Sequence, residues 1–220
     1  MIAQIVQPFS ESTEMYLKAM IELSDRETVA VGRLAERLSV TSVSANEMVR
    51  RLDEQGLVSH IPYKGVSLTE KGREVACDVM RRQRLWECFL YDHLGVEWER
   101  LYEFACSLEH ATAPEVTEAL SLFLGEPKVC PHGNPIPAAD GSFEPLNGRT
   151  LNTVAVGETA YVLAVSAIAT DVLRYLHERD LIPGREVTIV EAAPLHGPLT
   201  LRVEGKEVVL GLSLAEFVIV

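Results

Sequence analysis

The feature that most constrains the fold is a pair of helices, a tight turn and a hairpin in the first third of the chain. A short amphipathic segment at residues 32–38 is followed by the turn Ser39–Thr41, and a second helix is predicted from Ser42 to a glycine C-cap at Gly56. The β-type runs LVSHI and VSLT then flank a turn at residues 62–65. This order predicts a winged helix-turn-helix.

The front of the second helix carries short polar side chains, and basic residues follow one turn later and at the wing tip. Such groups near a helix N-terminus can reach the phosphates and base edges of double-stranded DNA. The candidate DNA-binding residues are Thr41, Ser42, Ser44, Asn46, Glu47, Arg50, Arg51 and Lys64. Ser44 and Glu47 also have capping-box spacing, so the helix begins at Ser42 or Ser44, and Glu47 either reads a base or only caps. A protein-interaction module with solvated charges is the alternative.

The net charge of −12 argues against nucleic-acid binding, because phosphate contacts need cations. Its distribution weakens that objection. Residues 1–75 contain 9 Lys/Arg and 11 Asp/Glu, whereas residues 76–140 contain 5 and 11. The N-terminal third is nearly neutral, and cations could offset the carboxylates of the middle third.

The rest of the chain predicts a helical middle region and a β-rich end. A long helix capped by Thr69 runs towards Gly95, shorter helices follow at 97–109 and 114–124, and residues 125–150 are rich in Pro, Gly and Asn. Five β-type runs with one helical insert then predict a small, mostly antiparallel SH3-like barrel. The predicted fold class is mainly α with small β. The predicted domains are a DNA-binding domain at 1–74, a helical dimerisation and metal-binding domain at 75–140, a linker at 141–150 and an SH3-like domain at 151–220.

Cys106, Glu109 and His110 have the spacing i, i+3 and i+4, which places a thiol, a carboxylate and an imidazole on one helical face. Mixed ligands of this kind suit a borderline transition metal rather than calcium or magnesium. Met15, on a predicted helix at 10–24, could add a thioether. The alternative for the trio is a buried cysteine beside a solvated carboxylate.

Several other classes of protein are disfavoured. No apolar run approaches the ~20 residues of a membrane helix, the first residues lack the features of a signal peptide, and four scattered cysteines fit a reducing compartment. We therefore predict a cytoplasmic protein. A thiol enzyme using Cys106 and His110 would need an orienting third group and an oxyanion site, and neither is visible, so no enzyme is predicted. A winged-helix regulator that senses a small organic ligand stays open.

Taken together, SESTEMYLKAM, the helix-turn-helix through RRLDEQGLV, PYKGVSLTEKG, CSLEH and GNPIP resemble the diphtheria toxin repressor family of iron- and manganese-responsive regulators. The resemblance covers essentially the whole chain, including a C-terminal SH3-like (FeoA-like) domain. It implies a homodimer, formed through helices 69–94 and 97–109, that represses metal-homeostasis genes from a palindromic operator.

The resemblance also implies a ligand set for the activating metal: Met15, Cys106, Glu109 and His110. Manganese-type members place carboxylates at the first two positions, so the resemblance favours Fe(II), although Mn, Co, Ni or Zn could bind in vitro. Because Met15 lies in the DNA-binding domain and the other ligands lie in the next one, coordination would hold the two recognition helices about 34 Å apart, one DNA turn.

The chain departs from the family at the second, ancillary metal site. The family's ligand positions fall on Gln83, Glu87, Tyr102, Ala164 and Ala167. Of these only Glu87 is retained as a ligand, so we expect this site to be weak or absent.

Four neighbouring residues bear on the same site. Cys130 and His132 either supply replacement ligands or merely belong to a proline-bounded turn, and we favour the turn. Arg84 and Asn134 match residues that bind an anion in relatives.

Overall fold

The described part of the chain begins with an amphipathic helix, α1 (Glu11–Leu23), whose first turn is capped by Ser10: the Ser10 hydroxyl accepts a hydrogen bond from the Thr13 N–H at 3.2 Å. The structure is a computed structural model, and it describes residues 9–23, 28–61 and 64–220. Helices α2 (Val31–Arg37) and α3 (Ser42–Glu54) follow. They form the predicted helix-turn-helix.

The cap of α3 differs from the predicted capping box. Thr41 is the N-cap residue, and its hydroxyl accepts a hydrogen bond from the Ser44 N–H at 3.1 Å. Glu47 instead pairs with Arg51 one turn later. The helix therefore begins at Ser42, the first of the two predicted starts. The Ser44–Glu47 capping box does not form, because the Thr41 hydroxyl already caps the first turn.

The wing is a two-stranded antiparallel sheet of β1 (Val58–Ile61) and β2 (Gly65–Leu68), in which Val58 pairs with Leu68. Part of its tip, residues 62–63, lies outside the described residues. The Thr69 hydroxyl then accepts from the Gly72 N–H at 3.1 Å and caps α4 (Glu70–Asp92), as the sequence predicts.

The middle helices also follow the prediction, with one addition. A 3₁₀ turn (Trp98–Arg100) precedes α5 (Leu101–Glu109), and α6 (Pro114–Phe123) begins with proline at its first position.

The C-terminal region contains two antiparallel sheets. A four-stranded sheet has the order β3-β5-β6-β7 and a two-stranded sheet joins β4 to β8; in the described residues these strands do not close into one hydrogen-bonded barrel. The elements are β3 (Thr159–Tyr161), β4 (Ala164–Val165), α7 (Thr170–His177), β5 (Glu186–Ala192), β6 (Leu199–Val203), β7 (Lys206–Leu210), α8 (Leu212–Ala215) and β8 (Val218–Ile219). The end of the predicted linker is ordered by strand pairing, since Arg149 and Val220 exchange backbone hydrogen bonds of 2.9 Å.

The chain divides into two compact units. Described residues up to 81, with 137–143, form the first, and residues 82–136 with 144–220 form the second. Fully buried Leu17, Leu34 and Leu52 belong to the core of the first unit, and Leu101, Leu173 and Leu201 to that of the second. The predicted domain boundaries at 74, 140 and 150 stay predictions. Of the helices that the structure describes, none has the length and apolar character to cross a bilayer.

Candidate metal centres and DNA-binding surface

The last turn of α5 brings together the three ligands predicted from the sequence. The ligand atoms of Cys106, Glu109 and His110 all lie within 4.8 Å of one another. The Cys106 Sγ is 3.8 Å from Glu109 Oε1, and the His110 Nε2 is 3.2 Å from the same oxygen. The helical repeat places the thiol and the carboxylate one turn apart, and His110, at the C-cap, turns its ring to the same side.

The burial of this trio favours a bound cation. Glu109 is completely buried, and the His110 side chain is only 12% exposed. Removing a carboxylate from water is costly unless opposite charge compensates it. Thiolate, carboxylate and imidazole together form a donor set for a borderline divalent metal. The residues present therefore fit such an ion.

Met15 is the fourth ligand that the resemblance implies beside Cys106, Glu109 and His110. It lies on α1 in the first unit and is partly buried. Its role stays a prediction.

A second group of metal-ligand side chains is formed by Glu87, Cys130 and His132. All three are buried, and their ligand atoms also lie within 4.8 Å of one another. Glu87 lies on α4. The predicted turn at residues 130–133 forms, with a hydrogen bond from the Gly133 N–H to the Cys130 carbonyl, and it brings the side chains of Cys130 and His132 to Glu87. The three side chains meet through a tertiary contact, which the sequence does not reveal. For this reason the sequence analysis favoured a turn without a metal-binding role.

The hydrogen bonds of His132 fix which face of its ring meets Glu87. Its Nε2 lies 3.0 Å from the Trp98 carbonyl oxygen, which can only accept, so Nε2 carries the hydrogen. The Nδ1 then faces Glu87 Oε2 at 3.5 Å. In a neutral ring this nitrogen has a lone pair, so a proton or a metal cation between it and the carboxylate is required for attraction. This orientation is the one that metal-binding histidines commonly adopt.

The electrostatics of the second group have identifiable causes. Burial raises the pKa of Glu87, but the charge and hydrogen bond of His132, the hydrogen bond of Cys130 and the charge of Arg84 together hold this pKa below its usual range. Burial, followed by the charge of Glu87, raises the pKa of the Cys130 thiol well above its usual range. The other Glu87 oxygen accepts from the Gln83 amide at 3.2 Å. Gln83, which stands where the resemblance implies a different, metal-binding residue, thus holds Glu87.

The two predicted anion-binding residues each contact a backbone carbonyl. The Arg84 guanidinium donates to the Pro135 oxygen, and the Asn134 amide donates to the Val165 oxygen at 3.0 Å. Their predicted anion-binding role is untested.

The predicted DNA-binding residues lie at the N-cap of α3, along α3 and, in the case of Lys64, on the wing. Thr41, Ser42, Ser44, Asn46, Glu47, Arg50, Arg51 and Lys64 are all exposed. The Asn46 amide donates to the Ser42 carbonyl at 2.7 Å, and the Arg51 guanidinium pairs with Glu47. Arg50 and Lys64 are exposed cations, and neither takes part in the ion pairs found among residues 9–23, 28–61 and 64–220.

Sequence reasoning missed Val43. Its side chain is 78% exposed beside the polar front, whereas Ala45 and Val49 on the opposite face are fully buried. An exposed apolar group there can contact a thymine methyl in a major groove. The signal was present in the helical periodicity, which places Val43 away from the buried positions.

Comparison with known proteins agrees with this geometry. Three sequence families match consecutive parts of the chain: the N-terminal DNA binding domain of iron dependent repressors at residues 8–66, their metal binding and dimerisation domain at 69–138, and the FeoA domain at 149–220. The diphtheria toxin repressor of Corynebacterium diphtheriae is 31% identical over 211 residues, covering 91% of this chain and 92% of the relative. The iron-dependent repressor IdeR of Mycobacterium tuberculosis is 30% identical over 210 residues, covering 90% of each chain.

A solved structure shows the same likeness in three dimensions. A manganese-dependent transcriptional repressor in complex with manganese superimposes with a TM-score of 0.86 and 32% sequence identity, covering 94% of this chain and 98% of that one. The matches cover the DNA-binding, dimerisation and FeoA regions in order. The chain therefore belongs to the iron-dependent repressor family, the family of the diphtheria toxin repressor, whose members are metal-dependent transcriptional repressors.

Proposed function

We propose that this chain is a homodimeric repressor activated by ferrous iron, which Cys106, Glu109 and His110 hold. The observation that carries the proposal is the convergence of three chemically different ligand atoms within 4.8 Å at the end of α5. A divalent ion held there would supply the positive charge that compensates the buried Glu109 carboxylate. The sequence adds Met15 as the fourth ligand.

The choice of iron rests on ligand softness. A thiolate at position 106, with a thioether at position 15, is softer than the carboxylates typical of manganese sites. Cobalt, nickel and zinc should bind the same ligands in vitro at least as tightly, so metal supply in the cell selects among them. A manganese-responsive repressor is the second candidate, favoured by the structural likeness to a manganese-dependent relative.

DNA binding is assigned to the front of α3 and to the wing. The short polar side chains there and exposed Val43 would contact base edges, and Arg50 and Lys64 would contact phosphates. Two copies related by a two-fold axis read half-sites of a near-palindrome, which is the operator that we expect. We place this activity in the cytoplasm, in keeping with the scattered free cysteines.

The resemblance implies a dimer interface on α4 and α5. The exposed apolar side chains lead us to assign the interface to the end of α4 and to α6 instead. Tyr91, Leu94, Leu122 and Phe123 are between 46% and 68% exposed in the single chain, and Phe123 packs its ring on His93 with a centroid distance of 4.9 Å. Exposed apolar side chains in a contiguous group indicate a surface that another protein covers. A second copy of this chain is the occupant that a dimerisation domain requires.

We further propose that Glu87, Cys130 and His132 hold a second divalent ion. Their burial, their mutual distances and the orientation of the His132 ring support this assignment. It replaces the sequence-based expectation of a weak or absent ancillary site.

The test of activation is operator binding under anaerobic conditions at fixed salt, with Fe(II), Mn(II) or a chelator present. We expect tight binding with iron, weaker binding with manganese and none with chelator. Cys106→Ser should remove iron activation, and Ser107→Ala, an exposed neighbour on the same helix, should retain it. Equal activation of both variants would contradict the assignment of the site, and preferential activation by manganese would favour the second candidate.

A further inference from the structure

The end of α5 is linked to α4 by hydrogen bonds between partly or fully buried groups. The Trp86 indole N–H donates to the Thr112 hydroxyl oxygen at 2.7 Å. The Thr112 hydroxyl in turn donates to the Leu108 carbonyl at 2.7 Å. Because an indole only donates and a carbonyl only accepts, the direction of both bonds is fixed. Trp86, Thr112 and Leu108 therefore form a one-way relay, which we call the Trp86 relay.

A second contact from α4 reaches the next carbonyl. The Arg82 guanidinium, itself buried, donates to the Glu109 carbonyl oxygen at 2.9 Å. Arg82 and Trp86 are four residues apart and so lie on one face of α4. The carbonyls of Leu108 and Glu109 are among the last four of α5, where the regular helical hydrogen bonds end. They accept longer backbone bonds, from the Ala111 N–H at 3.2 Å and the Thr112 N–H at 3.4 Å respectively. The Thr112 hydroxyl, which Trp86 orients, and the Arg82 guanidinium thus add one side-chain hydrogen bond to each of these carbonyls and hold the last turn of the helix against fraying.

The position of this contact matters because the proposed ligands lie in the same turn. Glu109 is the last residue of α5 and His110 is its C-cap, so fraying of one turn would displace the carboxylate and the imidazole together. Cys106, one turn earlier, would keep its helical position. Loss of the relay would therefore separate the thiolate from its two co-ligands without unfolding the domain.

We propose that Trp86 and Thr112, together with Arg82, are positioning residues of the metal centre at the end of α5. They hold Glu109 and His110 in the geometry that binds an ion, although none of them supplies a ligand. The inference rests on the proposed metal site at Cys106, Glu109 and His110. Hydrogen-bond partners that orient metal ligands typically contribute about 10- to 100-fold to metal affinity.

The experiment compares two substitutions at one position. Thr112→Val keeps the shape of the side chain but removes the hydroxyl, whereas Thr112→Ser keeps the hydroxyl. Full-length protein is titrated anaerobically with Co(II), and the thiolate-to-metal absorption band is recorded. All proteins carry Cys130→Ser, which removes the thiolate of the second group from the spectrum. The apo melting temperature is measured in parallel.

We expect Thr112→Val to weaken Co(II) binding by about 10-fold or more and Thr112→Ser to stay close to the reference protein. Trp86→Phe should resemble Thr112→Val, and the double variant should bind no more weakly than either single variant, because both changes break one relay. Trp86→Phe also keeps the inference testable if Thr112→Val fails to fold.

Three results would overturn the inference: unchanged binding by Thr112→Val, equal weakening by the valine and serine variants, or additive losses in the double variant. Failure of the metal site itself has a different signature. In that case Co(II) would produce no absorption band that depends on Cys106, so the reference protein and its Cys106→Ser variant would give the same spectrum. The inference would then fail together with the proposed metal site.

Discussion

The turn that carries Cys130 and His132 offers a sharp test of how the FeoA region supports the second metal group. Gly133 has φ of +81°, and a Cβ added there would lie 2.1 Å from the Leu163 carbonyl oxygen and 2.8 Å from the Ala164 Cα. Both atoms belong to the backbone, so they cannot move aside as a flexible side chain would. Gly133→Ala must therefore push the turn away from β4.

The magnitude follows from the contacts that this shift would break. The Val165 N–H donates to the His132 carbonyl at 2.8 Å, and the Asn134 amide donates to the Val165 carbonyl at 3.0 Å. Losing both costs about 2 kcal/mol, and the left-handed backbone adds about 1 kcal/mol for alanine. Gly157→Ala is the matched control, since Gly157 has φ of +85° with nothing within 4 Å of its added Cβ. The control should lose only the backbone contribution, about 1 kcal/mol.

The assay is thermal unfolding of the metal-free full-length chain, followed by Co(II) titration. The difference of about 2 kcal/mol between the variants corresponds to a melting temperature about 4–8 °C lower for Gly133→Ala than for Gly157→Ala. Gly133→Ala should also lose the absorption band that depends on Cys130. Equal melting temperatures for the two variants would refute the reasoning, because the clash with β4 would then carry no energy.

Three further predictions concern the DNA surface, acid stability and the dimer. Arg50→Ala should weaken binding to all DNA sequences and lower the slope of the salt dependence of binding by about 1. Arg51→Ala should weaken DNA binding less, because the Arg51 guanidinium already pairs with Glu47. Equal losses of affinity for the two variants, measured at several salt concentrations, would argue against this. Burial raises the pKa of Glu99, but its hydrogen bonds, including the 3.1 Å contact with His177, outweigh that effect and lower this pKa below its usual range. A carboxyl with a lowered folded-state pKa stabilises the fold above its unfolded-state pKa, and this contribution is lost as pH falls through the folded-state value. Glu99→Gln should therefore reduce the free energy of unfolding by about 1 kcal/mol or less at neutral pH, and urea titrations should show the difference shrinking in acid; a difference that grows in acid would contradict the assignment. Phe123→Lys should yield monomers in sedimentation experiments. Val209→Lys, which replaces an exposed valine on β7, is the control and should leave the dimer intact. If the Phe123→Lys protein is dimeric, the interface lies elsewhere.

The sequence by itself determined the features that depend on neighbours in the chain. The helical repeat alone places Cys106 and Glu109 on one face, with His110 following directly, and the structure brings their ligand atoms together. The helix-turn-helix, the Thr69 cap of α4 and the proline start of α6 likewise follow from local preferences of the backbone. At the start of α3 the sequence left Ser42 and Ser44 open, because several good capping residues follow one another there; the structure selects Ser42, with Thr41 as the cap.

Tertiary structure decided what joins residues far apart in the chain. Glu87 meets Cys130 and His132 only because a turn more than forty residues later packs against α4, and neither composition nor periodicity encodes that distance. The Trp86 relay is of the same kind, since an indole on α4 finds a hydroxyl that follows α5. The physical reason is that a buried polar group needs a partner for every hydrogen bond lost to water, and packing determines which distant groups are close enough to supply it.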